Sequence, residues 1–267
     1  MSSADPLLSV RDLRVEFDAR RGLFFRPRAV IRAVDGVSFE LPAGKTLGLV
    51  GESGCGKTTL TRAILRLTRA TSGRVLFDGR DVATLRGSQL QRFRRDVQVV
   101  FQDPYGSLNP RLSVDVIVGE ALEVHGLVRG RVQRRERVAQ LLRQVGLSAD
   151  DLDRRPGAFS GGQRQRIVIA RALALRPRLV ICDEPVSALD VSIQSQVLNL
   201  LAELQETHGL TYLFISHNLA VVWHCSDEIA VMHRGRIVEH GPARRIFEAP
   251  QAEYTRTLLA AVPAAPS

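Results

Sequence analysis

The stretch KTLGLVGESGCGKTTLTRAILRL, Lys45 to Leu67, decides the fold. Lys45 to Val50 is a short apolar run that ends in glycines and reads as a buried strand. TTLTRAILRL places Leu60, Ile64 and Leu67 at spacings of four and three, the period of one helix face. Between them GESGCGKT, Gly51 to Thr58, fits GxxxxGK[ST] in full. The motif carries chemistry only where a strand precedes it and a helix follows, and both are predicted here.

The physical reason for the pattern is anion binding. Gly51, Gly54 and Gly56 let successive backbone N–H groups turn inward around phosphate oxygens. Glu52, Ser53 and Cys55 complete the loop, and the helix N-terminus adds partial positive charge. In this reading Lys57 reaches the β- and γ-phosphates, the Thr58 hydroxyl ligates Mg²⁺, and Thr59 touches the α-phosphate. A nucleotide polyphosphate and Mg²⁺ are therefore the expected ligands.

Working outward, strand-like runs recur at Arg74–Phe77, Val97–Phe101, Leu179–Cys182, Thr211–Ile215, Ile229–Met232 and Arg236–Glu239. Helical patterns lie between them, at Arg134–Val145 and Val191–Gln205 among others. Such alternation predicts an α/β fold, a mostly parallel sheet covered by helices around a P-loop core. The part up to Leu41 alternates apolar and polar residues with turns at RRG and VDG. It predicts an N-terminal antiparallel β-subdomain. Asp103 to Ala158 reads as an inserted helical subdomain, and the end as one or two helices with a loose Pro/Ala tail. The expected division is a nucleotide-binding domain over residues 1–240, helical insertion at about 103–160, and a short extension over 241–267.

LVICDEP, Leu179 to Pro185, is a buried strand ending in acids. Asp183 emerges at the carboxyl edge of the sheet, where ligands of open α/β sheets bind, and is placed to hold Mg²⁺. Glu184 comes next and is the candidate general base that polarises the attacking water. On its own the pair would read as capping acids before Pro185.

FSGGQRQR, Phe159 to Arg166, is a second glycine turn running into a helix. One nucleotide needs one cradle. A second loop makes sense if two chains face each other head to tail, each γ-phosphate lying between the P-loop of one and the Ser-Gly-Gly loop of the other.

The order GESGCGKT, VFQDP, FSGGQRQR, LVICDEP, SALD, ISH resembles the ATP-binding-cassette (ABC) ATPases. The resemblance implies further roles. Ser160, Gly161, Gly162 and Gln163 correspond to the signature that caps the γ-phosphate of the opposite subunit. Gln102 is similar to the family's Q-loop glutamine, which senses Mg²⁺ and water. His217 resembles the switch histidine that contacts the γ-phosphate and positions Glu184. Asp190 in SALD would meet the partner's P-loop region. The family stacks an aromatic on adenine. Phe17 is the choice here, with Phe24 and Phe25 as rivals in the extra segment DARRGLFFRPR.

VFQDPYGSLNPR, RAVDGVSFEL and EAPQAEYTRTLLAAVP resemble the oligopeptide/dipeptide importer branch, which includes nickel uptake members. Where that branch carries histidine-proline-tyrosine, this chain has AEY and keeps Tyr254 alone. It also lacks the cysteine cluster with which some relatives hold an iron–sulfur centre. The resemblance implies two transmembrane permease subunits, a second ABC ATPase subunit (heterodimer or homodimer) and, indirectly, an extracytoplasmic substrate-binding protein. Hydrolysis of ATP would drive uptake of di- or oligopeptides. Nickel or a modified peptide is the alternative cargo. A soluble cassette acting on nucleic acid or ribosomes is the alternative class, and a P-loop kinase would not need FSGGQ.

Composition sets the outer limits. The chain has 267 residues, 45% hydrophobic and 24% charged, an ordinary soluble balance. No apolar run reaches the about 18 residues that a membrane helix needs, and MSSADPLLSVRD lacks a signal pattern. The chain is therefore expected to stay in the cytoplasm, and the resemblance implies a peripheral place on the cytoplasmic face of the inner membrane. Cys55, Cys182 and Cys225 form no CxxC pair, so free thiols packed as small residues are expected. Net charge is +9, but Lys45 and Lys57 are the only lysines and the arginines are spread along the chain. RVQRRER, Arg131 to Arg137, reads as a solvated helix face. Nucleic acid is not an expected partner.

Overall fold

The structure is a computed structural model that describes residues 5–19 and 29–260. In chain order the elements are β1 (Leu8–Ala19), β2 (Ala29–Leu41), β3 (Thr46–Val50), α1 (Lys57–Ile64), β4 (Ser72–Phe77), β5 (Arg80–Asp81), α2 (Gly87–Asp96), β6 (Val97–Val100), α3 (Pro104–Ser107), α4 (Val114–Val124), α5 (Gly130–Gln144), α6 (Gly161–Leu173), β7 (Leu179–Asp183), α7 (Val191–His208), β8 (Thr211–Ser216), α8 (Leu219–Cys225), β9 (Glu228–His233), β10 (Arg236–Pro242), α9 (Ala243–Glu248) and α10 (Glu253–Ala260). Two short 3-10 turns, Ala149–Asp153 and Pro156–Ala158, precede α6. The chain divides into two compact units. One holds residues up to Leu90 and from Leu213 onward, the other Gln91–Tyr212.

In the first unit β1 pairs antiparallel with both β2 and β4, giving a sheet ordered β2-β1-β4-β5. Leu8, Val10, Leu13 and Val15 of β1 and Val34, Val37, Phe39 and Leu41 of β2 are buried. The VDG triplet is not a turn. It lies inside β2, where Gly36 at φ 73° forms a bulge: Leu13 faces Val37 while Arg14 faces Asp35. Glycine marks both devices, because each needs positive φ. The RRG triplet falls outside the described residues.

The second sheet of this unit runs β10-β9-β3-β8. β3 and β9 are parallel, β9 and β10 an antiparallel hairpin. β3 is buried along its whole length, as its continuous apolar run requires. At Gly48 a Cβ would come within 2.0 Å of the Val222 side chain, so α8 lies directly on the strand backbone there. α1 is shorter than its periodicity predicts. Arg66 takes a left-handed φ of 59°, the helix stops at Ile64, and Leu67 is 68% exposed rather than buried.

The second unit holds the parallel pair β6 and β7 and helices α3 to α7. α4, α5 and α6 pack on one another. Val138, Leu141 and Leu142 on α5 and Val145 at its C-cap are buried, as are Val114, Ile117, Val118 and Leu122 on α4. The arginine cluster at the start of α5 is not simply solvated. Arg134 spans Asp115 of α4 with bonds of 3.2 and 2.7 Å and reaches Glu123 at 3.0 Å, and its side chain is only 15% exposed. Arg135 pairs with Asp153 through two bonds. Cys55 and Cys182 are buried and Cys225 half-buried, and none of the three is in a disulfide. Among the described residues no helix is long and apolar enough to cross a membrane.

Candidate functional site

The predicted residues divide between the units. The first holds Phe17, the Gly51–Thr59 loop and His217. The second holds Gln102, Ser160–Gln163, Asp183, Glu184 and Asp190.

The loop after β3 has the backbone of a phosphate cradle. Gly51, Gly54 and Gly56 stand at φ 158°, 81° and 112°, and Gly56 is the N-cap of α1 with no side-chain cap on the first turn. Its N–H groups are therefore left for a ligand or solvent. Neighbours press against the outside of the loop. A Cβ at Gly56 would lie 2.1 Å from the Ala33 carbonyl oxygen, and one at Gly51 would lie 2.2 Å from that of Met232. Glycine is required at both positions by space as well as by φ.

The Lys57 ammonium is buried and folded back. It donates to the carbonyls of Gly51 at 2.5 Å and Glu52 at 2.9 Å. A strong phosphate acceptor competes directly with those neutral carbonyls. Thr58 is exposed at the first turn and Thr59 half-exposed. The Cys55 thiol lies 3.9 Å from the ammonium, and burial pushes its pKa up. It packs beside the ammonium as a buried thiol.

His217 follows β8, exposed, in a tight connection to α8. The Asn218 side chain accepts from the Ala220 and Val221 N–H groups and fixes the turn that presents it. Phe17 lies near the end of β1, 45% exposed and paired across the ladder with Ile31, itself 56% exposed. It is a surface aromatic, available for stacking, and not core. Phe24 and Phe25 lie outside the described residues.

In the second unit Asp183 is the last residue of β7. Glu184 takes φ 52°, a conformation that costs a non-glycine residue about 1–2 kcal/mol. The turn is held by Ser187, whose N–H and hydroxyl both donate to the Glu184 carbonyl. Gln102 is exposed between β6 and α3.

FSGGQ forms the N-terminus of α6 through a capping box. Ser160 Oγ accepts from the Gln163 N–H at 3.3 Å, and Gln163 Oε1 accepts from the Ser160 N–H at 3.0 Å. The Ser160 hydroxyl keeps its own proton to donate, and its side chain is exposed. Gly162 lies against α7, where a Cβ would meet Ile193 Cγ2 at 2.6 Å. Asp190 is the N-cap residue of α7 but makes no side-chain cap bond, and stays exposed.

Two features escaped the sequence reading. Arg134 and Asp115 brace the helices behind α6. Tyr254 on α10 accepts a hydrogen bond from the Glu52 N–H of the phosphate loop at 3.2 Å. The retained tyrosine of AEY was a hint to the second; nothing local in the sequence points to the first.

Known proteins similar to this chain indicate its family. The family described as ABC transporter matches residues 34–187, more than half of the chain. The glutathione import ATP-binding protein GsiA of Pectobacterium atrosepticum is 53% identical over 262 residues, covering 98% of this chain and 42% of that protein. GsiA of Escherichia coli strain K12 is 53% identical over 261 residues with the same coverages. The chain thus spans less than half the length of these curated relatives. Among solved structures, cbiO1 from Clostridium perfringens, part of the ABC transporter complex cbiONQ, has TM-score 0.77 and 27% identity over 92% of each chain. A dimeric ATP-binding cassette in a post-hydrolysis state with ADP and Pi has TM-score 0.75 and 27% identity, covering 89% of this chain and 99% of that one.

Proposed function

As the chain belongs to the ABC transporter family, we propose that it binds and hydrolyses ATP to drive an importer of di- or oligopeptides. The observation that carries this reading is the GsiA likeness over 98% of the chain, since glutathione is itself a small peptide. The loop at Gly51–Thr58 supports the nucleotide half. Its left-handed glycines, uncapped helix start and Lys57 ammonium form a donor set suited to a polyphosphate.

In this reading residues 1–240 are the nucleotide-binding domain, with the helical insertion at about 103–160 and the extension from 241 onward. Lys57 holds the β- and γ-phosphates. Thr58, Asp183 and Gln102 serve Mg²⁺, an ion that commonly takes one or two protein ligands and completes its shell with phosphate and water. Mg²⁺ held there would neutralise phosphate charge. Glu184 accepts a proton from the attacking water, and its left-handed backbone turns it away from the strand direction. His217 positions Glu184 and the γ-phosphate. Ser160 to Gln163 act on the nucleotide of a facing cassette, with Asp190 beside that partner's P-loop, and Phe17 stacks on adenine.

Two permease subunits and a second cassette, the same or different, complete the machine. A substrate-binding protein delivers cargo, and the chain sits on the cytoplasmic face of the membrane. Nickel or a modified peptide is the second cargo to test.

The experiment is Glu184→Gln. The variant is expected to bind Mg-ATP, lose steady-state turnover, and elute as a dimer with ATP. Wild-type turnover in it removes Glu184 as the base. A pull-down of the tagged variant from detergent-solubilised membranes with Mg-ATP is expected to bring two polytopic proteins and a cassette ATPase. Ribosomal or DNA-repair partners with no membrane protein overturn the importer.

A further inference from the structure

The C-terminal segment reaches back to the phosphate loop. The hairpin turn between β9 and β10 has Arg234 and Gly235 both at positive φ, 47° and 83°, as a two-residue turn of this hand needs. Its Gly235 N–H donates to the Cys55 carbonyl at 2.8 Å, and its carbonyl accepts from Asp35 N–H on β2. The turn is therefore wedged between β2 and the loop. Further along, the nearly buried Glu239 of β10 accepts from the N–H groups of Gln251 and Ala252 at 2.9 and 3.0 Å. This ties down the start of α10.

The tie presents Tyr254. Its ring lies on His233, the last residue of β9, with centroids 3.9 Å apart. Its hydroxyl accepts the Glu52 N–H at 3.2 Å. The Glu52 carbonyl, in turn, accepts from the Lys57 ammonium at 2.9 Å and from the Cys55 N–H at 3.3 Å. Residue 52 is thus held on one side by the C-terminal tyrosine and on the other by the lysine of the cradle. Burial raises the Tyr254 phenol above its ordinary pKa, so the hydroxyl stays neutral.

We infer that Tyr254 is a positioning residue for nucleotide binding: carried on the Glu239-anchored α10, its hydroxyl fixes the Glu52 backbone and through it the aim of Lys57. This deepens the proposed function and rests on its nucleotide-binding half. The tie is within one compact unit, between residues 202 positions apart in sequence. It gives the extension beyond β10 a task at the phosphate site.

The test is Tyr254→Phe in the full chain, which keeps the ring on His233 and removes only the hydroxyl. Mg²⁺ and a fluorescent ADP are titrated into wild type and variant, and melting midpoints are taken in parallel without nucleotide. The expected result is about threefold to tenfold weaker binding, the size of one net hydrogen bond, with the melting midpoint nearly unchanged. In steady state the KM for ATP rises by more than kcat falls. Glu239→Gln, which loosens the anchor but leaves the hydroxyl in place, is expected to weaken binding in the same direction. Tyr254→Phe binding within twofold of wild type overturns the inference while the nucleotide-binding reading stands. A wild-type chain that binds no nucleotide overturns both.

Discussion

Ser160→Ala and Ser160→Gly separate two roles of one hydroxyl. As a cap, Ser160 Oγ accepts from the Gln163 N–H at the start of α6. Alanine removes that acceptor, at about 1 kcal/mol, while glycine at the same position costs only a few tenths. For a chain of this size 1 kcal/mol moves the melting midpoint by about 2–4 °C. As a donor, the same hydroxyl would serve the γ-phosphate held by a facing cassette. A hydrogen bond to a charged group contributes about 1.5–3 kcal/mol, which corresponds to about 10-fold to 150-fold in rate. The two variants should therefore differ in stability and agree in catalysis. Both lose ATPase by at least about tenfold, and only alanine melts measurably lower. Ser160→Thr keeps acceptor and donor on an exposed side chain and is expected to restore most of both. The assay is steady-state phosphate release at saturating Mg-ATP, with melting in parallel. If Ser160→Gly turns over within twofold of wild type, the hydroxyl is only a cap and the head-to-tail reading loses its donor.

Two further substitutions test the scaffold. Asp115→Ala leaves Arg134 15% exposed with Glu123 as its remaining partner. Unpairing a buried ion pair costs about 3–5 kcal/mol, and the surviving Glu123 contact lowers the expectation to about 2–3 kcal/mol by urea unfolding. The double change Asp115→Leu with Arg134→Met is expected to recover most of that loss, because nothing charged is then buried. Gly56→Ala puts a methyl 2.1 Å from the Ala33 carbonyl oxygen at a backbone φ of 112°. Nucleotide titration should show binding lost while far-UV circular dichroism keeps the wild-type secondary structure. Wild-type affinity would mean the loop can move off β2 without consequence.

The phosphate loop was legible because its information is local. Eight contiguous residues supply the glycine angles, the ammonium and the hydroxyl, and the flanking strand and helix periods confirm each other. FSGGQ was legible for the same reason, since its capping box closes within four residues. The misreadings share a different cause. VDG reads as a turn because one residue type serves turns and bulges alike, and only the pairing with β1 decides between them. α2 left no signal: GSQLQRFRRD buries only Phe93, so no apolar stripe marks it as a helix. Leu67 continued the helical period of α1, but the left-handed Arg66 ends the helix before it, and arginine carries no mark for that conformation. Arg134 reads as solvated because its partner is 19 residues away on another helix.

That distinction bears on function. The residues proposed to supply phosphate donors lie together in sequence, whereas those that shape the loop do not. The carbonyls of Ala33 and Met232 press on its glycines, the Gly235 N–H holds its Cys55 carbonyl, and the Tyr254 hydroxyl holds its Glu52 N–H. In the proposed reading a motif shared across a family fixes what is bound, while contacts from distant segments set how tightly. Chains with the same GxxxxGK[ST] loop can differ in nucleotide affinity without any change in the loop. In this chain the segment best placed to make that difference is the one carrying Tyr254, which lies outside the six motifs that mark the cassette.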